Sequence, residues 1–369
     1  MYFRRDLMKK IIVLLLVLCL FLAFAGKGTA LDISASSAVL IEAESGRIIY
    51  AKDENTRRGM ASTTKIMTAL VAIESMPLDT LITIPNEAVG VEGSSVYLKE
   101  GERLTLEELL YALMLQSAND AAAAIAYAVG GSIEGFADMM NEKCASLGLQ
   151  DTRFENPHGL DGQGHYTTAY ELALISAHAL ENEDFARIVS TKTKTLEAQD
   201  GGARVLVNHN KMLRIYEGAV GVKTGFTKKC GRTLVSAAER DGVKLICVTL
   251  NDCDDWRDHA SMLDLGFSLY ESVSLAKEGE LTFDIHVVGG EEENVSVSNK
   301  DALSLTLPRT RGEITIKTEL DRFIYAGLPA GSRAGCARFF LDGKEIGKLT
   351  LYTTQDITKK SVKRGFFGK

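Results

Sequence analysis

The chain has 369 residues, 46% hydrophobic and 25% charged, enough to bury one large core and leave material for a second, smaller unit. Its formal charge of −7 makes nucleic acid and anionic headgroups poor partners for the bulk surface. Composition therefore excludes a nucleic-acid reader and leaves a globular enzyme or binding protein.

At the N-terminus Arg4, Arg5, Lys9 and Lys10 precede an apolar run of 14 residues, Ile11 to Phe24, with small residues at Ala23-Phe24-Ala25 and Gly28-Thr29-Ala30. This is the pattern of a secretory signal peptide, residues 1–30, cleaved after Ala25 or Ala30. The run falls short of the roughly 20 residues a spanning helix needs, so an uncleaved anchor is the weaker alternative. Its removal takes the formal charge from −7 to −11 and places the mature chain outside the cytoplasm, on the cell-wall side. Cys19 leaves with the signal. Cys144, Cys230, Cys247, Cys253 and Cys336 remain, an odd number without CxxC spacing, and buried free thiols are expected.

Ala38 to Ile41 and Arg47 to Tyr50 read as strands joined by a hairpin turn at Glu44-Ser45-Gly46. Apolar residues at helical spacing predict helices over Thr63–Ser75, Leu104–Leu115, Asn119–Val129, Ile133–Leu147 and Thr168–Leu180. The period then changes, with paired strands Thr233–Ala237 and Lys244–Thr249 around Asp241-Gly242, before a last helix from Trp256 to Tyr270. A boundary near Lys277-Glu278-Gly279 separates residues 31–277 from a β-rich unit, 280–355. There short alternating runs such as Thr282–Val287, Ala302–Leu307, Ile314–Thr318, Arg338–Leu341 and Lys344–Tyr352 alternate with turns. A basic tail, 356–369, closes the chain with Lys359, Lys360, Lys363, Arg364 and Lys369 beside Phe366 and Phe367. It is a candidate for peripheral membrane contact or a solvated end.

Ser62-Thr63-Thr64-Lys65 sets a hydroxyl and an amine three residues apart at a helix start, where both project from one face. A serine needs a base, and a lysine can be one when burial or a nearby cation depresses its pKa. The spacing alone decides nothing, because Ser274 and Lys277 share it. Ser117-Ala118-Asn119, 55 residues after Ser62, adds a hydroxyl and an amide, with a plain helix cap as the alternative. Lys223-Thr224-Gly225, 106 residues further on, adds a cation, a hydroxyl and a residue without a side chain on a strand that an extended peptide could pair with; a simple turn is the alternative. His158 and His165 read as loop-positioning residues. No two of the six histidines lie within four residues of each other, so no metal site and no cofactor is expected.

The three elements in this order form the signature of penicillin-binding proteins and class A β-lactamases. With Asn156-Pro157-His158-Gly159-Leu160, His165 to Tyr170, and Gly221 to Thr227, the chain resembles the low-molecular-mass penicillin-binding proteins that are D,D-carboxypeptidases. The resemblance covers roughly Ser37 to Ser272, and the β-rich unit is similar to that family's C-terminal domain in placement. It implies an α/β serine-transferase domain, an antiparallel sheet flanked by helices, plus a small all-β C-terminal domain. It further implies Ser62 as nucleophile, Lys65 as base, Ser117 and Asn119 as proton relay and substrate contact, and Lys223, Thr224 and Gly225 as the pocket for a terminal carboxylate. The N–H groups of Ser62 and Phe226 would form the oxyanion hole. Arg257 falls where the family places a basic residue near the carboxylate pocket, with an ion pair to Asp254, Asp255 or Asp258 as the alternative.

The implied partners are peptidoglycan stem peptides and, as covalent inhibitors, β-lactam antibiotics. A β-lactamase would carry a deacylating glutamate between the second and third motifs; Glu155 is the nearest, and Arg153 to Pro157 lacks the Glu-x-x-Leu-Asn arrangement. A non-catalytic penicillin-binding sensor or structural wall protein on the same fold is the rival from another class.

Overall fold

The computed structural model describes residues 31–197 and 202–361; the signal pattern and the tail beyond Ser361 lie outside the described residues. A central antiparallel sheet runs in the order β2-β1-β5-β4-β3. Its strands are β1 (Ser37–Glu42), β2 (Ile48–Lys52), β3 (Ala219–Thr227), β4 (Gly231–Arg240) and β5 (Val243–Asp252). Side chains alternate across a strand, so a strand covered on both faces must be apolar at successive positions. In β1, Val39 and Ile41 enter the core on one side while Ala38 and Leu40 enter the core on the other. In β5, Ile246, Val248 and Leu250 take the first face, Leu245 and Cys247 the second.

The larger face is covered by α1 (Lys65–Ser75), α2 (Leu106–Leu115), α3 (Asn119–Gly130), α4 (Ile133–Ser146), α5 (Ala169–Leu180) and α6 (Glu183–Ser190). The opposite face receives α7 (Met212–Ile215) and α8 (Asp255–Leu269) through Met212, Met262 and Leu263. Caps mark where helices begin: Thr105 and Glu108 form a reciprocal capping box on α2, and Ser132, Thr168 and Asn182 cap α4, α5 and α6 with their side chains. Helix α6 and the hairpin of Thr193–Glu197 with Ala203–Val207 are additions to the sequence reading. Only Phe185, Ile188 and Val189 of α6 are buried, too few turns for its period to stand out.

Immediately after α8, Tyr270–Ala276 becomes a strand that pairs with Leu303–Pro308. A six-stranded sheet follows, in the order 314–320, 333–341, 344–353, 294–299, 282–288 and 324–325, packed on Ile285, Val287, Val297 and Leu351. Arg47 ties this unit to the first: its Nη2 donates to the Thr306 carbonyl at 2.8 Å and its guanidinium lies 4.6 Å from the centre of the Tyr270 ring. Cys144, Cys247 and Cys336 are buried free thiols as expected. Cys230 is half-buried and Cys253 is exposed, because both sit where β4 and β5 leave the sheet. No helix among the described residues is long and apolar enough to cross a membrane.

Candidate active site

Ser62 sits in a 3-10 turn, Ala61–Thr64, that runs straight into α1 at Lys65. Residues three apart eclipse in such a turn, so the two side chains stack on one side. The turn is entered through Ala61, which holds a left-handed φ of 47° that an alanine adopts only under tertiary constraint. Its constraints come from within the turn and from distant segments. Thr233 Oγ1 donates to the Met60 carbonyl at 3.0 Å, and Thr64 Oγ1 donates to the Ala61 carbonyl at 2.7 Å. His165 Nε2 then donates to Thr64 Oγ1 at 2.7 Å, while His165 Nδ1 accepts from the Glu155 N–H, which fixes the tautomer. Gly159 and Gly225 press on the same turn: a Cβ on Gly159 would lie 3.0 Å from the Ser62 nitrogen, and one on Gly225 would lie 2.9 Å from it. Gly225 thus does more than open an edge for a peptide; it lets β3 lie against the amide of Ser62.

Lys65 is buried, and its Nζ lies 3.2 Å from Ser62 Oγ, 2.7 Å from Asn119 Oδ1 and 2.5 Å from the His158 carbonyl. Burial, with the Lys223 charge as the second cause and Asp120 opposing, holds its pKa well below the ordinary lysine range. A neutral amine has two N–H donors and one lone pair. The two carbonyl oxygens take the donors, and the lone pair is left for the Ser62 hydroxyl. Lys223 is also buried and pushed down to about 7 by that burial. Burial likewise keeps His158 at about 3 and His165 at about 4, so both are neutral near pH 7.

Ser117 and Asn119 are not helix caps. Ser117 takes a left-handed φ of 58° ahead of α3, the capping position is Ala118 without a side-chain bond, and Asn119 is the first helical residue. Asn119 donates to the Glu92 carbonyl at 2.5 Å, and its own N–H donates to the Ser94 carbonyl at 2.7 Å. Ser94 thereby joins Ser62, Ser117, Thr224, Gly225 and Phe226 on the wall of a cleft of about 910 Å³. Asp120 fixes that loop, accepting from Ser95 Oγ at 2.6 Å and from the N–H groups of Val96 and Leu98 at 3.2 and 3.0 Å. Asp120→Ala should orphan the buried Leu98 N–H and release the two partly buried donors, lowering stability by roughly 1–3 kcal/mol in urea unfolding. A change under about 0.5 kcal/mol would mean that the loop is held by something else.

Arg257 takes the ion-pair alternative. Its Nε lies 3.2 Å from Asp254 and its Nη2 3.1 Å from Asp258, and it does not line the cleft. The reason is helical phase: α8 begins at Asp255, and Asp255 and Trp256 line the cleft while the next residue turns about 100° away. Arg232 of β4 does line the cleft, held along its Nε/Nη2 edge by Asp255 at 3.1 and 2.8 Å and lying 5.8 Å from the centre of the Trp256 ring. Sequence reasoning missed Arg232 and Ser94; the signal for Arg232 was its cross-strand register with Phe226, visible only once β3 and β4 are paired. Glu155 is likewise off the cleft, accepting from the Gly164 N–H at 2.9 Å.

Comparison with known proteins gives this geometry a family. A family model described as D-alanyl-D-alanine carboxypeptidase matches residues 25–254, more than half of the chain. The chain belongs to the D-alanyl-D-alanine carboxypeptidase family. A second model, the C-terminal domain of penicillin-binding protein 5, matches residues 270–359. The chain is similar to the D-alanyl-D-alanine carboxypeptidase DacF of Bacillus subtilis, 30% identical with 95% of each chain covered. It is 31% identical to DacA of Escherichia coli over 92% of this chain and 86% of that one. Among solved structures, penicillin-binding protein 5 from Haemophilus influenzae superposes with a TM-score of 0.69 at 28% identity, covering 89% of this chain and 98% of that one. This D-alanyl-D-alanine carboxypeptidase is thus a serine hydrolase of the penicillin-binding kind, with the α/β transferase fold and the all-β C-terminal unit that the motifs implied.

Proposed function

We propose that the chain removes the terminal D-alanine from peptidoglycan pentapeptides through an acyl-enzyme on Ser62. The observation that carries this is the placement of Lys65 Nζ, 3.2 Å from Ser62 Oγ with its two N–H donors engaged by Asn119 and His158. Lys65 takes the Ser62 proton as Oγ attacks the penultimate D-alanine carbonyl, and the N–H groups of Ser62 and Phe226 receive the oxyanion. The terminal carboxylate is met by Lys223 and Thr224, with Arg232 beside them. As the C–N bond breaks, the proton passes through Lys65 and Ser117 to the leaving amine of D-alanine. Water, activated through the same relay, then hydrolyses the ester and restores the Ser62 hydroxyl.

Glu155 sits away from the cleft, holding the loop at Gly164, which favours slow deacylation of a penicilloyl group and so inhibition by β-lactams over their hydrolysis. The same reading takes residues 1–30 as an export signal, so that the enzyme works outside the cytoplasm. It takes 31–277 as the peptidase unit, 280–355 as an accessory β unit, and the tail 356–369 as a contact to the membrane surface.

The test is D-alanine release from a pentapeptide, measured beside penicillin hydrolysis across pH. Lys65 acts as a base and gains activity as pH rises through its depressed pKa. Lys223 acts as a cation, and kcat/KM should decline as pH rises through about 7. The limb seen in kcat should lie higher, because the bound carboxylate holds the Lys223 proton. Faster turnover of penicillin than of peptide would reassign the chain to the β-lactamases.

A further inference from the structure

Beyond Ser62 the cleft carries a wall that the reaction described above does not use. Asn208 and Asn210 are buried, and their side chains shape the backbone around them. Asn208 Nδ2 donates to the carbonyls of Val189 and Thr191 at 3.1 and 3.0 Å, its Oδ1 accepts from the Asn210 N–H at 2.9 Å, and Asn210 Oδ1 accepts from the Met212 N–H at 3.0 Å. The His209 N–H is tied to the Leu115 carbonyl at 3.2 Å. With the asparagines turned inward, the alternate residues His209 and Lys211 and, one helical turn on, Arg214 are exposed, and all three line the cleft. The segment is a fixed shelf presenting three basic side chains.

The charge on this shelf is not cancelled by its surroundings. Arg214 donates to two uncharged carbonyls, those of Asn208 and Lys192, both at 3.0 Å, and neither Arg214 nor Lys211 forms an ion pair among the described residues. The cleft's two acids are engaged elsewhere, Asp255 with Arg232 and Asp254 with Arg257. Partial burial and the nearby Lys223 charge hold His209 below the ordinary imidazole range, so Lys211 and Arg214 are the lasting charges at neutral pH. The cleft encloses about 910 Å³, the size class of pockets that hold drug-sized ligands, and a D-alanyl-D-alanine end fills only part of it.

We infer that Lys211 and Arg214 bind a free side-chain carboxylate on the stem peptide upstream of its D-alanyl-D-alanine end, so that this cleft selects acidic stem peptides. The inference rests on the reading of the cleft as the D-alanyl-D-alanine site. Two partly exposed charge contacts favour the carboxylate-bearing peptide by about fivefold to tenfold in kcat/KM at low ionic strength, and added salt erodes the preference.

The test uses the full mature chain and two peptides with the same D-alanyl-D-alanine end. The residue before that end carries a side chain finishing in a carboxylate in one peptide and in the matching primary amide in the other. The unmodified enzyme should prefer the carboxylate peptide, Lys211→Gln/Arg214→Gln should bring the ratio close to one, and Lys211→Glu alone should invert it. The single variant keeps the test valid if loss of the Arg214 bonds disturbs folding. Equal losses on both peptides would overturn the inference, because the shelf would then serve the terminal carboxylate itself. Release from both peptides without preference by the unmodified enzyme would also overturn it and leave the D-alanyl-D-alanine reading intact. Release from neither peptide would remove that reading and the inference together.

Discussion

Ser62→Ala is expected to abolish D-alanine release, lowering kcat by roughly four to six orders of magnitude, and to leave no covalent penicilloyl adduct by mass spectrometry. No other hydroxyl can substitute for it. Ser117 and Ser94 share the cleft, but the Lys65 amine is directed at Ser62 Oγ, 3.2 Å away. The fold should survive, because the 3-10 turn is held by Met60, Thr64, Gly159 and Gly225 rather than by the serine side chain. Near-normal urea unfolding together with lost turnover is the expected pair of results. An adduct on any residue but Ser62 in the unmodified enzyme would end this assignment.

Lys65→Met should lower the acylation rate by about 10³-fold or more while keeping the volume of the buried side chain. Its second readout is thermodynamic. A lysine whose pKa is lower folded than unfolded binds fewer protons in the native state, so stability rises with pH between the depressed folded value and the ordinary lysine range. Lys65 should therefore add stability from neutral pH toward pH 10, opposed above about pH 9 by the buried thiols of Cys144 and Cys247, and the methionine variant should lose that contribution. Lys223, also depressed, adds a rise of the same sign in both proteins. If the pH dependence of unfolding were identical in the two proteins, Lys65 would not be the buried neutral amine that the mechanism needs.

Much of this site is legible in the residues alone, because its chemistry depends on local spacing. Ser62 with Lys65, Ser117 with Asn119, and Lys223 with Thr224 are each short patterns fixed by one turn of helix or one strand. The sheet was legible for a similar reason, since the centres of β1 and β5, residues 38–41 and 245–248, are buried on both faces and apolar at successive positions. What stayed hidden depends on pairing between distant segments. Arg232 becomes part of the cleft only when β3 and β4 are in register and α8 brings Asp255 to it. Ser94 arrives through the carboxylate of Asp120, 26 residues later. The shelf alternates exposed His209 and Lys211 with buried Asn208 and Asn210 before Met212 and Leu213 turn inward, and buried asparagines carry no apolar period to announce it. Which of its two readings Arg257 takes turns on a single step of helical phase, which no spacing argument resolves without knowing where α8 begins.

The sheet order also dictates when this enzyme can exist as an enzyme. β1 is paired on one side with its own hairpin partner β2 and on the other with β5, about two hundred residues away in the chain. The amide of Ser62 gains its wall only when Gly225 and Thr233 arrive. Contacts of such sequence separation form slowly, after a large loss of loop entropy. A chain in which the sheet is not yet closed therefore holds Ser62 on a segment without the neighbours that shape its amide. Activity is therefore expected only once β3, β4 and β5 have closed the sheet.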